Sequence, residues 1–175
     1  GGSYRQEFTT DINGEIDLSK LTPGAYEVRE LEAPDGYLID DAVRVVQVNP
    51  DENANFVFTN TPKPSLRLIK TSSDGTRLGG VHFRIAKIED GTHYLDRITD
   101  DNGEINISNL EPGVYSVKET ATVADHILDL QEYHVELFAG QTSTITIENQ
   151  KRPNLIVYKK DGVILSGGVV RVNVD

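Results

Sequence analysis

The chain contains no cysteine, no methionine and no tryptophan in 175 residues. Without cysteine it has no disulfide and no thiolate metal site, so any staple in its domains is of another kind. Cysteine-free chains occur in every compartment, and the absence does not locate the protein. No apolar run reaches the length needed to span a bilayer, and no signal-type segment opens the chain. With no methionine even at its start, the chain is expected to be a processed or excised piece, with Gly1-Gly2-Ser3 as a linker or tag remnant. Positive charge is also scarce: 17 Lys and Arg stand against 28 Asp and Glu, a formal net charge of −11. That balance argues against nucleic acid and membrane surfaces as partners. No stretch has a convincing helical period, no serine sits in a G-x-S-x-G and no glycine-rich phosphate loop is present. A multi-turnover enzyme is the least favoured class, and no cofactor is expected.

What the sequence does contain is an internal duplication. Glu30 and Glu119, 89 residues apart, close the strings LTPGAYEVRE and LEPGVYSVKE. The same offset pairs Pro23 with Pro112, Tyr26 with Tyr115, Val28 with Val117, Asn60 with Asn149 and Lys70 with Lys159. A repeat of this length implies domains of about 90 residues, and a domain that size buries a modest core and gains from a staple. Short alternating runs such as Leu66–Lys70, Val114–Val117 and Thr144–Ile147 predict strands, and the Asn-Gly and Asp-Gly pairs between them predict tight turns. The fold class is therefore all-β, with tandem β-sandwich domains. Thr61–Pro64 and Lys151–Pro153 read as short stiff linkers. Residues 1–62 match only the later part of a repeat, 63–152 a complete one, and 153–175 the first strands of a further domain or of the same split domain.

Strand parity says which side chains share a face. Leu66, Leu68 and Lys70 do, as do Leu155, Val157 and Lys159, which selects Lys159 over Lys160. Tyr115, Val117 and Glu119 share a face, like Tyr26, Val28 and Glu30; so do Ile145, Ile147 and Asn149, like Phe56, Phe58 and Asn60. If each apolar face points inward, an amine, an acid and an amide end up inside each domain. Their bland roles are a snorkelling lysine, its ion-pair partner and a capping asparagine. Two further features carry less weight. Asp11-x-Asn13-Gly14-Glu15 and Asp101-Asn102-Gly103-Glu104 resemble pieces of a calcium loop but lack its Gly and Glu placement, and hairpin turns are the better reading. His82, His93, His126 and His134 do not recur between repeats, and no metal site is assigned to them.

The pattern K-x-x-x-D-G, x-L-x-P-G-x-Y-x-V-x-E, A-P-D-G-Y and a strand ending in Asn resembles the CnaB-type (SpaA-like), immunoglobulin-related domains of Gram-positive surface adhesins and pilins. The matching strings are Lys70–Gly75, Asn109–Glu119 and Ile145–Asn149 in the complete repeat; in the other they are Lys20–Glu30, Ala33–Tyr37, Phe56–Asn60 and Leu155–Gly162. The resemblance implies an intramolecular isopeptide bond between Lys and Asn with Glu as catalyst. Burial would keep the amine neutral and the Glu protonated, the latter hydrogen-bonding the Asn carbonyl. The implied trios are Lys70, Asn149 and Glu119, and Lys159, Asn60 and Glu30. The second repeat departs from the pattern after Glu119, where Ala121–His126 replaces the A-P-D-G-Y turn, so that loop is less predictable.

The function expected from these features is a structural stalk or shaft module of an adhesin or pilus, extracellular and held in a Gram-positive cell wall. Because the lysine strand of the split domain lies at 153–175 and its Glu30 and Asn60 at 1–62, the ends allow head-to-tail self-association between chains. The alternatives are a ligand-binding module for a host matrix protein or glycan, and an engineered split-domain system for ligation or polymerisation.

Overall fold

The computed structural model describes residues 5–89 and 94–158, together with positions 167, 169, 171 and 172. The chain divides into two units, Gly1–Lys63 and Pro64–Asp175. Among the described residues all regular structure is β and no helix occurs.

The first unit has four short strands: β1 (Gly24–Val28), β2 (Tyr37–Leu38), β3 (Arg44–Val48) and β4 (Thr61–Pro62). β1 and β3 form an antiparallel pair with Tyr26 opposite Val46. β2 and β4 form a second, two-residue pair with Tyr37 opposite Pro62. Thr61-Pro62 is thus a strand rather than a linker; proline is tolerated there because the pair is an edge in which its missing N–H is not needed. Phe56–Asn60, expected as a strand, forms no ladder. None of the described residues of this unit is fully buried.

The second unit holds β5 (Ser65–Ser72), β6 (His82–Lys87), β7 (Tyr94–Ile98), β8 (Glu104–Ile107), β9 (Gly113–Ala121), β10 (Glu132–Leu137) and β11 (Thr142–Asn149). They make two sheets, β10-β9-β6-β7 and β11-β5-β8. Every pairing is antiparallel except β11 with β5, which is parallel. Leu66 and Leu68 of β5, Phe83 and Ile85 of β6, Val117 of β9 and Ile147 of β11 meet in one core between the sheets. Strict alternation along β5 sends Leu66, Leu68, Lys70 and Ser72 inward, the outcome expected of a strand with one buried face.

Turn chemistry recurs between the units. Asp11 Oδ1 accepts from the amides of Asn13 and Glu15, and Asp100 Oδ1 accepts from those of Asn102 and Glu104. Both are Asx-type turns that use the carboxylate internally. Gly103 closes the second with φ of 69°, and a Cβ there would lie 2.7 Å from the Lys70 carbonyl oxygen. Its own carbonyl accepts from the Lys70 amide at 2.7 Å, so this glycine fixes the backbone of β5 at the lysine. The tyrosine of each L-x-P-G-x-Y string bonds back to the backbone four residues earlier, Tyr26 to Thr22 O and Tyr115 to Glu111 O. The string is read twice because it builds the same corner twice.

Candidate functional site

Lys70, Glu119 and Asn149 come from three strands and two sheets and meet at one end of the second unit's core. Their exposures are 0%, 3% and 1%. β5 and β11 run parallel with Lys70 beside Ile147 and Asn149 beside Ser72, so the lysine reaches forward along its own face to the asparagine. β9 delivers Glu119 from the facing sheet, two residues beyond the core residue Val117. Lys70 Nζ donates to Asn149 Oδ1 at 2.6 Å and lies 3.1 Å from Glu119 Oε2. Asn149 Nδ2 donates to Glu119 Oε1 at 2.7 Å and to Thr122 Oγ1 at 2.7 Å. The Phe83 ring lies 5.9 Å from Nζ and closes the apolar side.

The electrostatics follow from burial. Removing the Lys70 ammonium from water pushes its pKa below the usual lysine value, and the Glu119 carboxylate only partly opposes this. A buried amine driven toward its neutral form is a nucleophile. Glu119 Oε2 is buried and accepts no well-aligned hydrogen bond, although it lies 3.1 Å from the amine. One detail differs from the sequence expectation. The amide nitrogen of Asn149, not its carbonyl oxygen, faces Glu119, while the carbonyl oxygen accepts from the lysine.

The first unit shows part of the same constellation. Asn60 Nδ2 donates to both Glu30 oxygens, at 2.8 and 2.7 Å, and to Leu38 O at 3.1 Å. Glu30 Oε2 also accepts from the Asp40 amide at 2.7 Å. Both side chains are half-buried. Lys159 lies outside the described residues, so the third member of this trio is not placed.

Two residues near the complete site were not assigned to it from the sequence. Thr122 was not singled out, and its counterpart by the offset is Ala33, so the duplication could not mark it. His126 occupies the position of Tyr37 in the A-P-D-G-Y string. It forms the bridge to Lys151 where Tyr37 pairs with Pro62. The loop after Glu119 therefore ends as its counterpart does despite its different sequence. His126 is buried, with Nδ1 3.1 Å from Ala124 O and Nε2 3.1 Å from Ser72 Oγ. With Nδ1 donating to that carbonyl, Nε2 accepts the serine hydroxyl.

Residues 2–62 and 64–151 each match the SpaA prealbumin-like fold domain. The chain belongs to this family. Among solved structures, the Bacillus anthracis TIE protein superposes with a TM-score of 0.52 at 26% identity, over 81% of this chain and 28% of that one. The minor pilin GBS52 of Streptococcus agalactiae gives a TM-score of 0.49 at 24% identity, over 86% and 70%. Among curated proteins, the human BOS complex subunit NOMO3 is 25% identical over 174 residues, which is 97% of this chain and 14% of that protein. The SpaA-type chain thus spans a minor part of the TIE and NOMO3 proteins.

Proposed function

We propose that this chain is a stalk module of a Gram-positive surface adhesin or pilus, extracellular and anchored with its parent at the cell wall, whose complete domain links Lys70 to Asn149 through a single-turnover, autocatalytic isopeptide reaction. The observation that carries the reading is the burial of Lys70 Nζ against both the Asn149 amide and Glu119 Oε2. Membership of the SpaA family and the likeness to the TIE protein support it.

The chemistry balances as follows. Neutral Nζ attacks Asn149 Cγ, so the Nζ–Cγ bond forms and the Cγ–Nδ2 bond breaks. Nζ loses a proton and Nδ2 gains one, and ammonia leaves. Glu119 spans the two nitrogens, Oε2 toward Nζ and Oε1 toward Nδ2, and so carries the proton between them. The core holds amine and amide in contact, and the high effective molarity lowers the barrier, while departure of ammonia makes the exchange one-way. The product amide withstands unfolding and proteolysis of the surrounding sheet.

The first unit is read as the same kind of domain with the lysine strand to be supplied to it. Glu30 and Asn60 already touch, and the segment 153–159 has the spacing of that strand. In this reading Lys159 of one chain reaches Asn60 of the next, or of the same chain, with Glu30 as catalyst. On denaturing electrophoresis a ladder that disappears with Lys159→Ala supports joining between chains, and monomer alone overturns it.

Intact mass under denaturing conditions tests the central reading. The complete domain should be lighter by one ammonia, with a peptide joining Lys70 to Asn149, and Glu119→Ala should restore the full mass. An unshifted mass in the unsubstituted chain overturns the reading.

A further inference from the structure

We propose that Thr122 is a fourth member of the complete site, a catalytic residue that binds the nitrogen Asn149 gives up. The inference rests on the cross-linking reading above. An asparagine amide has two N–H donors, and both are engaged here: one on Glu119 Oε1 and the other on Thr122 Oγ1, each at 2.7 Å. Together they fix the amide plane, so that Oδ1 and Cγ are held toward Lys70 Nζ.

The hydroxyl gains importance as the reaction proceeds. In the ground state Nδ2 is a planar amide nitrogen and a modest donor. When it becomes tetrahedral and takes up the proton from Glu119, it turns into an ammonium-like donor, and hydrogen bonds from such a group are about twice as strong as neutral ones. Acceptors already in place around that nitrogen therefore stabilise the transition state more than the starting amide. Glu119 is one such acceptor, but it must give up its charge as it moves the proton. Thr122 stays neutral throughout and keeps its acceptor where it is. Thr122 is also only half-buried, unlike Lys70, Glu119 and Asn149, so the nitrogen departs on the side of the site nearest solvent.

The first unit supplies an internal contrast. Ala33 stands in the place of Thr122, and the second N–H of Asn60 goes instead to the Leu38 carbonyl at 3.1 Å. The two repeats solve the same problem, a second acceptor for the leaving nitrogen, with different groups.

The test is a time course of ammonia loss. The full 175-residue chain is made by cell-free synthesis, quenched in acid at intervals and weighed intact. Thr122→Val keeps the branched shape and removes the acceptor; Thr122→Ser keeps the acceptor and removes a methyl. The expected result is slowing of the Lys70–Asn149 link by about tenfold or more in Thr122→Val, the scale of one hydrogen bond to a developing charge, with near-normal formation in Thr122→Ser. Circular dichroism and amide exchange in a Glu119→Ala background, where no link forms, should be alike with Thr or Val at 122. Equal rates for the Val variant and the unsubstituted chain overturn the role of Thr122 and leave the cross-link intact. Equal slowing in Val and Ser variants also overturns it, since packing then explains the loss. Absence of ammonia loss in the unsubstituted chain overturns the cross-linking reading and this role with it.

Discussion

Ile16 and Ile105 occupy the same place in the repeat, yet Ile16 is 45% exposed and Ile105 4%. The same holds for Leu18 and Ile107. The difference lies in which strands accompany them. Among the described residues of the second unit β7 pairs only with β6, while β8 and β11 pair only with β5. β5 is the central strand of its sheet, and β6 is the strand that joins β7 to β9 in the other. Residues 1–63 carry no counterpart of either; the matching sequence begins at 154 and 171. Among the described residues the counterparts of β7, β8 and β11 accordingly form no ladder, and the one long pairing that survives, β1 with β3, copies β9 with β10, which needs neither β5 nor β6. The lysine therefore sits on the strand that also organises its sheet. In the proposed reaction, bringing in the lysine and completing the core are one event.

That comparison can be broken or sharpened by measurement. The largest effect should come from covalent closure. A link across the 79-residue separation of Lys70 and Asn149 restricts the unfolded chain by about 4–5 kcal/mol on the loop-entropy scale used for disulfides. Denaturant titration of linked and never-linked protein should show that gap in the second unit and none in the first. Core truncation should follow. Ile105→Ala should cost the second unit about 2–5 kcal/mol, whereas Ile16→Ala should stay within about 0.5 kcal/mol, as for a surface site; equal costs would mean that the first unit has a core of its own.

A smaller effect is tied to pH. In Asn149→Ala, which cannot link, Lys70 remains an amine whose folded pKa lies below its unfolded value of 10.5. Between those two values the unfolded chain binds more protons, so stability rises with pH, by at most about 1.4 kcal/mol per unit from this group. Its burden is fully present below the folded pKa and relieved as the pH approaches 10.5. Adding Lys70→Met should remove that part of the slope, and an unchanged slope would show that Lys70 is not desolvated.

The inward faces of β5, β9 and β11 were legible in the sequence because a strand with one buried side is locked to period two. Parity alone placed Lys70, Glu119 and Asn149 in the interior. It could not report partners. Phe56, Phe58 and Asn60 alternate as well as Ile145, Ile147 and Asn149, yet a ladder needs a neighbour, and alternation does not say whether one is present. Thr61-Pro62 looked like a linker because its partner, Tyr37-Leu38, was hidden in a turn string. Thr122 escaped because it lies in the loop where the two repeats differ most, so the offset that exposed the other three residues had nothing to match.

The parallel pairing of β5 and β11 has a mechanical consequence. The first and last strands of the complete domain lie side by side and point the same way, so the chain enters at one end of their ladder and leaves at the other. Tension applied between the two ends of this domain pulls these strands lengthwise past each other, loading all their hydrogen bonds together rather than peeling them one at a time. In the proposed linked form, that tension would pass along β5 as far as Lys70, across the new amide, and out through Asn149. The strands from β6 to β10 then hang off the load path as a closed loop. A domain linked in this way would transmit force without lengthening, whatever happens to the rest of its fold.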